Sequence, residues 1–144
     1  MLALHYVSAY EYARASNAAT EELVDGARRS LRNAGDRALT LNAFATAERH
    51  YRDALELWPE QDPERAMLLF NLGKACYYSN TDDVDVLVEA ERLLLDAGDR
   101  ESAAWAASIQ ADLAHALRMP QSTMFEHAFR ALDLVDGLEM SRAK

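Results

Sequence analysis

Breakers, sulfur and positive charge are all scarce in this chain. Its 144 residues hold three prolines, five glycines and a single cysteine. With so few breakers and so much Ala and Leu, a strand-and-turn protein is excluded and an all-α protein is expected. No window alternates apolar and polar residues in the β-branched pattern of a strand. Cys76 has no second cysteine to pair with, so there is no internal disulfide, and the chain suits a reducing, cytoplasmic setting. No apolar run reaches the roughly 18 residues that a transmembrane helix needs, so no membrane partner is expected. The opening stretch "MLALHYVSAYEYARAS" lacks a basic start and carries Glu11 and Arg14, unlike a signal peptide. Fifteen Lys and Arg stand against 24 Asp and Glu, a net charge of −9. Nucleic-acid binding rests on neutralising phosphates, so this balance argues against it despite the local cluster Arg28, Arg29 and Arg32.

What the chain does have is helical rhythm nearly throughout. Leu2, Tyr6, Ala9 and Ala13 set the first stripe, and Asn17 or Thr20 can cap the helix that follows. Val24, Ala27, Leu31, Ala34, Ala38 and Leu41 then run straight through Gly35. The tetrapeptide AGDR occurs twice, at 34–37 and 97–100. The first copy lies inside a helix, where Gly35 costs about 1 kcal/mol relative to Ala and so calls for a closely approaching neighbour. At the second copy the rhythm breaks. Gly98 is expected to stop one helix and Asp99 to cap the next. Elsewhere Asn42 reads as a left-handed helix end and Pro59 as a stop. Asp62-Pro63 reads as a helix start, "SNTDD" (79–83) as a polar turn and Gly137 as the last stop. The sixth helix is expected over about 100–118, and 138–144 as a tail.

Two segments resemble the tetratricopeptide family, whose unit is a helix pair of about 34 residues with small residues at the crossing. "NAFATAERHYRDALELWP" (42–59) looks like a second helix, with Phe44, Ala47, Tyr51, Ala54 and Pro59 matching position by position. "AMLLFNLGKACYY" (66–78) looks like a first helix, through Leu69, Leu72, Gly73 and Cys76. In that register Gly35 also takes the family's small position. Ala90 and Ala131 continue the late Ala of the second helices at uneven spacing, and Ala111 or Ala114 replaces the glycine missing from the third pair. The resemblance implies a right-handed α-α superhelix of about seven helices in one domain, 1–137. An orphan second helix (1–16) would precede pairs at 20–59, 63–97 and 100–137. An orphan of this kind suggests a segment excised from a longer protein. More loosely, the chain is similar to the helical repeats of large bacterial regulators, which join such arrays to NTPase, nucleotide-cyclase or DNA-binding domains. The chain itself has no G-x-x-x-x-G-K-[ST] loop.

Catalytic chemistry finds little support. His5, His50, His115 and His127 fall on four different expected helices, and no Glu-x-x-His occurs of the kind that builds helical di-metal sites. Neither a metal nor a cofactor is expected. Cys76 sits on an apolar face between Ala75 and Tyr77, which suits a structural thiol better than a nucleophile. No G-x-S-x-G elbow is present. The family register instead implies a groove lined by first helices: Arg29, Arg32, Asp36 and Leu39, then Met67, Phe70, Lys74 and Tyr77, then Trp105, Asp112 and His115. Asn71 and Lys74 sit where some family members grip a peptide's terminal carboxylate. The implied function is a non-catalytic protein–protein interaction module. Phe70, Tyr77 and Trp105 would anchor a protein or peptide partner, or another domain of a parent chain, and Arg29, Arg32 and Lys74 would read acidic groups. The same aromatics could instead pack against a neighbouring repeat or a second copy, which would make the chain a self-association module. A small helical metal enzyme is a third and more distant alternative.

Overall fold

The structure, a computed structural model, describes residues 5, 7–9, 12, 21–81 and 83–142, with side chains as far as residue 136. Among the described residues it is all-α, with no strand. Six helices follow in order: α1 Glu21–Thr40, α2 Phe44–Leu57, α3 Arg65–Ser79, α4 Val84–Asp96, α5 Arg100–Ala116 and α6 Gln121–Arg142. Of the expected orphan helix, residues 5, 7–9 and 12 are helical and Val7 packs on the core. The rest of it, with Asn17 and Thr20, lies outside the described residues.

The turns follow from single residues. Helix α1 runs unbroken through the first AGDR, and Asn42 then turns left-handed at φ 57°. Trp58, before Pro59, is extended (φ −90°, ψ 127°) and ends α2, because the proline ring disfavours helical geometry at the preceding residue. Asn80 closes α3 in the left-handed region, φ 58°, and the Thr81 N–H reaches back to the Cys76 carbonyl at 2.9 Å. At the second AGDR, Gly98 has φ 80° and the Asp99 carboxylate accepts the Ser102 N–H at 3.0 Å, a helix stop joined to a helix cap.

Three boundaries differ from expectation. Helix α3 starts at Arg65, two residues beyond Pro63. Asp62 still accepts the Glu64 N–H at 2.9 Å, but it closes a turn ahead of the helix rather than capping it. Helix α5 ends at Ala116 rather than near 118. Arg118 turns left-handed at φ 54°, and the Met119 N–H satisfies the Ala114 carbonyl at 2.9 Å. Helix α6 passes through Gly137 to Arg142, so Gly137 is no stop and 138–142 are helix rather than tail. A single interior glycine costs only about 1 kcal/mol, and the Leu-Glu-Met that follows favours helix.

Each helix packs against the next, and the core forms two joined clusters. One gathers Leu31, Tyr51, Ala54, Trp58, Leu68 and Leu72. The other gathers Leu69, Phe70, Leu87, Leu94, Ile109 and Leu134. Helix α3 supplies both. The pairs α1–α2 and α3–α4 close at glycines. A Cβ on Gly35 would meet the Tyr51 ring 2.6 Å away, and one on Gly73 would strike the Leu87 side chain. Between pairs the backbones are unequally spaced. Helix α3 brings Cα atoms within 8 Å of both α1 and α5, whereas α4 comes that near to neither α2 nor α6. The odd-numbered helices therefore share one side, the inner side, on which they approach one another more closely than the even-numbered ones do.

Candidate partner-binding groove

Lys74 follows Gly73, so it lies beside the close-packed face of α3 and points along the inner side. Its Nζ sits 4.7 Å from the Phe70 ring centre and 4.9 Å from that of Trp105, whose rings meet edge to face at 5.5 Å. Such cation–ring contacts are worth about 0.5–2 kcal/mol. Burial lowers the Lys74 pKa from its ordinary value, and the nearby Asp36 carboxylate opposes that shift. Leu39, Asn42, Phe44, Lys74, Tyr78 and Trp105 line one groove of about 360 Å³. It draws on all three helix pairs.

The expected site residues divide on this geometry. Leu39, Lys74 and Trp105 come together, and Trp105 is 50% exposed. Phe70 does not serve as an exposed anchor. It is only 2% exposed, because α4 and α5 close over it, and it forms the floor beneath Lys74. Tyr77 is half-buried and its hydroxyl donates to Asp112 at 3.4 Å, bridging α3 to α5. Asp36 is engaged inside the fold, accepting from the Tyr51 hydroxyl at 2.8 Å and from the Asn71 amide at 3.5 Å. Burial, reinforced by that carboxylate, pushes the Tyr51 phenol above its usual range. Arg29 pairs with Asp25 at 3.0 Å. Arg32 pairs with Glu64 at 2.6 Å and lies over the Trp58 ring. Both arginines therefore already hold partners within the chain. Met67 and His115 are exposed and stand outside the groove.

On the opposite side, α2 and the end of α3 share a polar cluster. Glu48 accepts from Ser79 at 2.9 Å, from Thr81 at 3.1 Å and from Arg52. Burial raises the Glu48 pKa, but these donors more than offset it and hold the carboxyl below its ordinary value. Arg52 also reaches Asp83 at 2.9 Å. Cys76 lies beneath this cluster. Burial, with Glu48 adding to it, pushes its thiol up to about 12. Iodoacetamide at pH 8 is expected to label Cys76 in the folded protein at least roughly a hundredfold more slowly than in urea, since the thiolate is the reactive form. Peptide mass spectrometry over time checks this, and comparable rates in the two states would remove the structural role assigned to the thiol.

One polar centre escaped the sequence reading. Glu91 is 3% exposed, accepts from Gln110 Nε2 at 2.8 Å, and faces Arg130 Nε at 2.6 Å. It ties α4, α5 and α6 together. The signal was present: Glu91 is four residues after Leu87 and three before Leu94, on the buried stripe of α4. Ala114, expected at a crossing, is buried, while Ala111 lines a groove between α5 and α6. Among the described residues, no group of three His, Cys, Asp or Glu is placed to hold a metal ion. No described helix is long and apolar enough to cross a membrane.

Among the described residues these features define an all-α array in which each helix packs on the next, with an aromatic-lined groove. No family model matches the chain, and neither does any curated protein or solved structure.

Proposed function

We propose that this chain is a non-catalytic protein–protein interaction module of tetratricopeptide type, a right-handed array belonging to a larger cytoplasmic bacterial signalling or transcriptional regulator. The observation that carries this reading is the convergence of Leu39, Lys74 and Trp105, one from the first helix of each pair, on a single inner groove. Two glycines at corresponding helix crossings support the family assignment, since close helix approach is what the family's small position provides.

In this reading a partner segment lies across the inner helices. Trp105 is the anchor, a half-exposed aromatic of the type that dominates binding energy. Lys74 is held in place by two rings and offers its ammonium to an acidic or carbonyl group of the partner. Phe70 and Asp36 set the groove's shape from beneath. The partner is either a separate protein or another domain of the parent chain.

The test is selection of binders from a random peptide library on the immobilised chain, followed by titration against variants. Peptides that occupy the groove are expected to lose at least roughly tenfold in affinity on Trp105→Ala, and a lesser amount on Lys74→Ala. Selected peptides that bind both variants as tightly as the parent would move the site elsewhere.

A further inference from the structure

The cations of this chain are almost all arginine. Of its 15 Lys and Arg, only Lys74 and Lys144 are lysine. Lys144 lies outside the described residues, so Lys74 is the one lysine of the described helices. Its place beside two rings does not by itself call for lysine. Arginine is the usual cation on aromatic faces, and the chain uses it so elsewhere: Arg28 and Arg32 lie 5.1 and 5.5 Å from the Trp58 ring centre. What lysine offers and arginine does not is an amine that can lose its proton and act as a nucleophile.

The groove favours that form. Nζ lies 4.7 Å from the Phe70 ring centre and 4.9 Å from that of Trp105. Phe70 is buried while Trp105 is half-exposed, so the amine is partly stripped of water yet lines an open groove. Burial lowers the Lys74 pKa against the pull of Asp36, and a larger share stands as neutral amine than in an exposed lysine. Asp36 acts on it as a nearby charge, and its Oδ1 accepts from Tyr51 and Asn71. A desolvated lysine in an apolar pocket is one of the ordinary ways an amine is made nucleophilic near neutral pH.

The lining selects the electrophile. Among the described residues that form the groove there is no carboxylate. A small anion is therefore not repelled, and the ammonium form of Lys74 attracts it. A volume of about 360 Å³ is near the low end for ligand pockets, roughly 300–1,000 Å³, which suits a small acyl donor and not one tied to a bulky carrier. We propose that Lys74 is a modification site, acylated on Nζ by a small acyl phosphate, and that acylation closes the groove to acidic partners. The neutral amine attacks the acyl carbon. The N–C bond forms, the C–O bond to phosphate breaks, inorganic phosphate leaves with that electron pair, and the amine gives one proton to water. The amide so formed carries no charge, so the ammonium offered to the partner is gone and the acyl group takes up part of the groove. The closing of the groove rests on the binding role proposed above, whereas the modification site does not.

The test exposes the folded chain, and the chain in guanidinium chloride, to acetyl phosphate at pH 8 and follows Lys74 by peptide mass spectrometry. Lys74 is expected to react at least roughly threefold faster folded than unfolded, because the fold raises its neutral fraction. Asp36→Asn is expected to speed the folded reaction further. It removes the charge that favours the ammonium, and its amide oxygen can still accept from Tyr51. A folded rate at or below the unfolded one would overturn the modification site, as would an Asp36→Asn rate no higher than the parent's. A chain acetylated at Lys74, with Lys144→Arg to keep the modification to one side chain, is then titrated with the peptides selected on the groove. It is expected to lose at least as much affinity as Lys74→Ala does, and unchanged affinity would overturn the closing of the groove. Peptides indifferent to Trp105→Ala would count against the groove itself, and the acylation rates would still decide the modification site.

Discussion

Gly35→Ala is expected to destabilise the protein by roughly 2 kcal/mol, although alanine is the better helix former by about 1 kcal/mol. The added methyl would lie 2.6 Å from Tyr51 Cε1 and 2.7 Å from Cδ1. Tyr51 cannot give way cheaply. It is fully buried, and its hydroxyl is bound to Asp36 at 2.8 Å. Moving the ring loses that bond or leaves the phenol unsatisfied in the core. Moving α2 away from α1 instead opens the packing around Ala47 and Ala54, both fully buried. Urea unfolding measures the change. Tyr51→Val is itself costly, but it makes room for the methyl, so the double variant Gly35→Ala/Tyr51→Val is expected to lose less than the two single changes summed, by at least about 1 kcal/mol. A Gly35→Ala protein as stable as the parent would show that the helices are not held at this distance by the missing side chain.

How far all this can be read in advance depends on whether the determining interaction is local. Gly35 was legible because an unbroken apolar stripe on both sides left close packing as the one reason for it. Gly98 and Asp99 were legible because a broken rhythm and a cap residue are both local signals. The α5 end and the passage of α6 through Gly137 were not. The first turns on how a few residues at 114–119 share their hydrogen bonds, and the second on a small propensity difference. In the groove, the tetratricopeptide register put Leu39, Lys74 and Trp105 among its lining residues, and these three do come together. It could not reveal that Phe70 lies beneath Lys74, because a helical stripe does not say which of its edges the next pair covers. Nor could it reveal that Asp36 serves Tyr51, a residue fifteen positions away. Arg29 and Arg32 looked free in the sequence. Arg32 finds Glu64 across a whole helix of intervening chain.

Arg130→Met is expected to cost about 3 kcal/mol, more than its own exposure suggests, because the loss falls on its partner. The Glu91 side chain is 4% exposed and Arg130 is the cation the structure places against it, at 2.6 Å. Gln110 contributes one hydrogen bond, at 2.8 Å, and is itself held by the Leu87 carbonyl at 3.2 Å. Without Arg130 the carboxylate keeps that amide and little else, and burying a charge so poorly compensated is expensive. Glu91→Leu should cost much less. The freed guanidinium turns to water, and Gln110 keeps its bond to Leu87. The double variant Glu91→Leu/Arg130→Met should therefore be more stable than Arg130→Met alone, an order that simple loss of contacts would not give. Thermal and urea unfolding of the three variants decide it. If Arg130→Met costs under about 1 kcal/mol, Glu91 reaches water and the triad does not hold α6 in place. If the predicted order holds, the contact of Arg130 with Glu91 adds a polar anchor for α6 to the packing of Leu134 in the core.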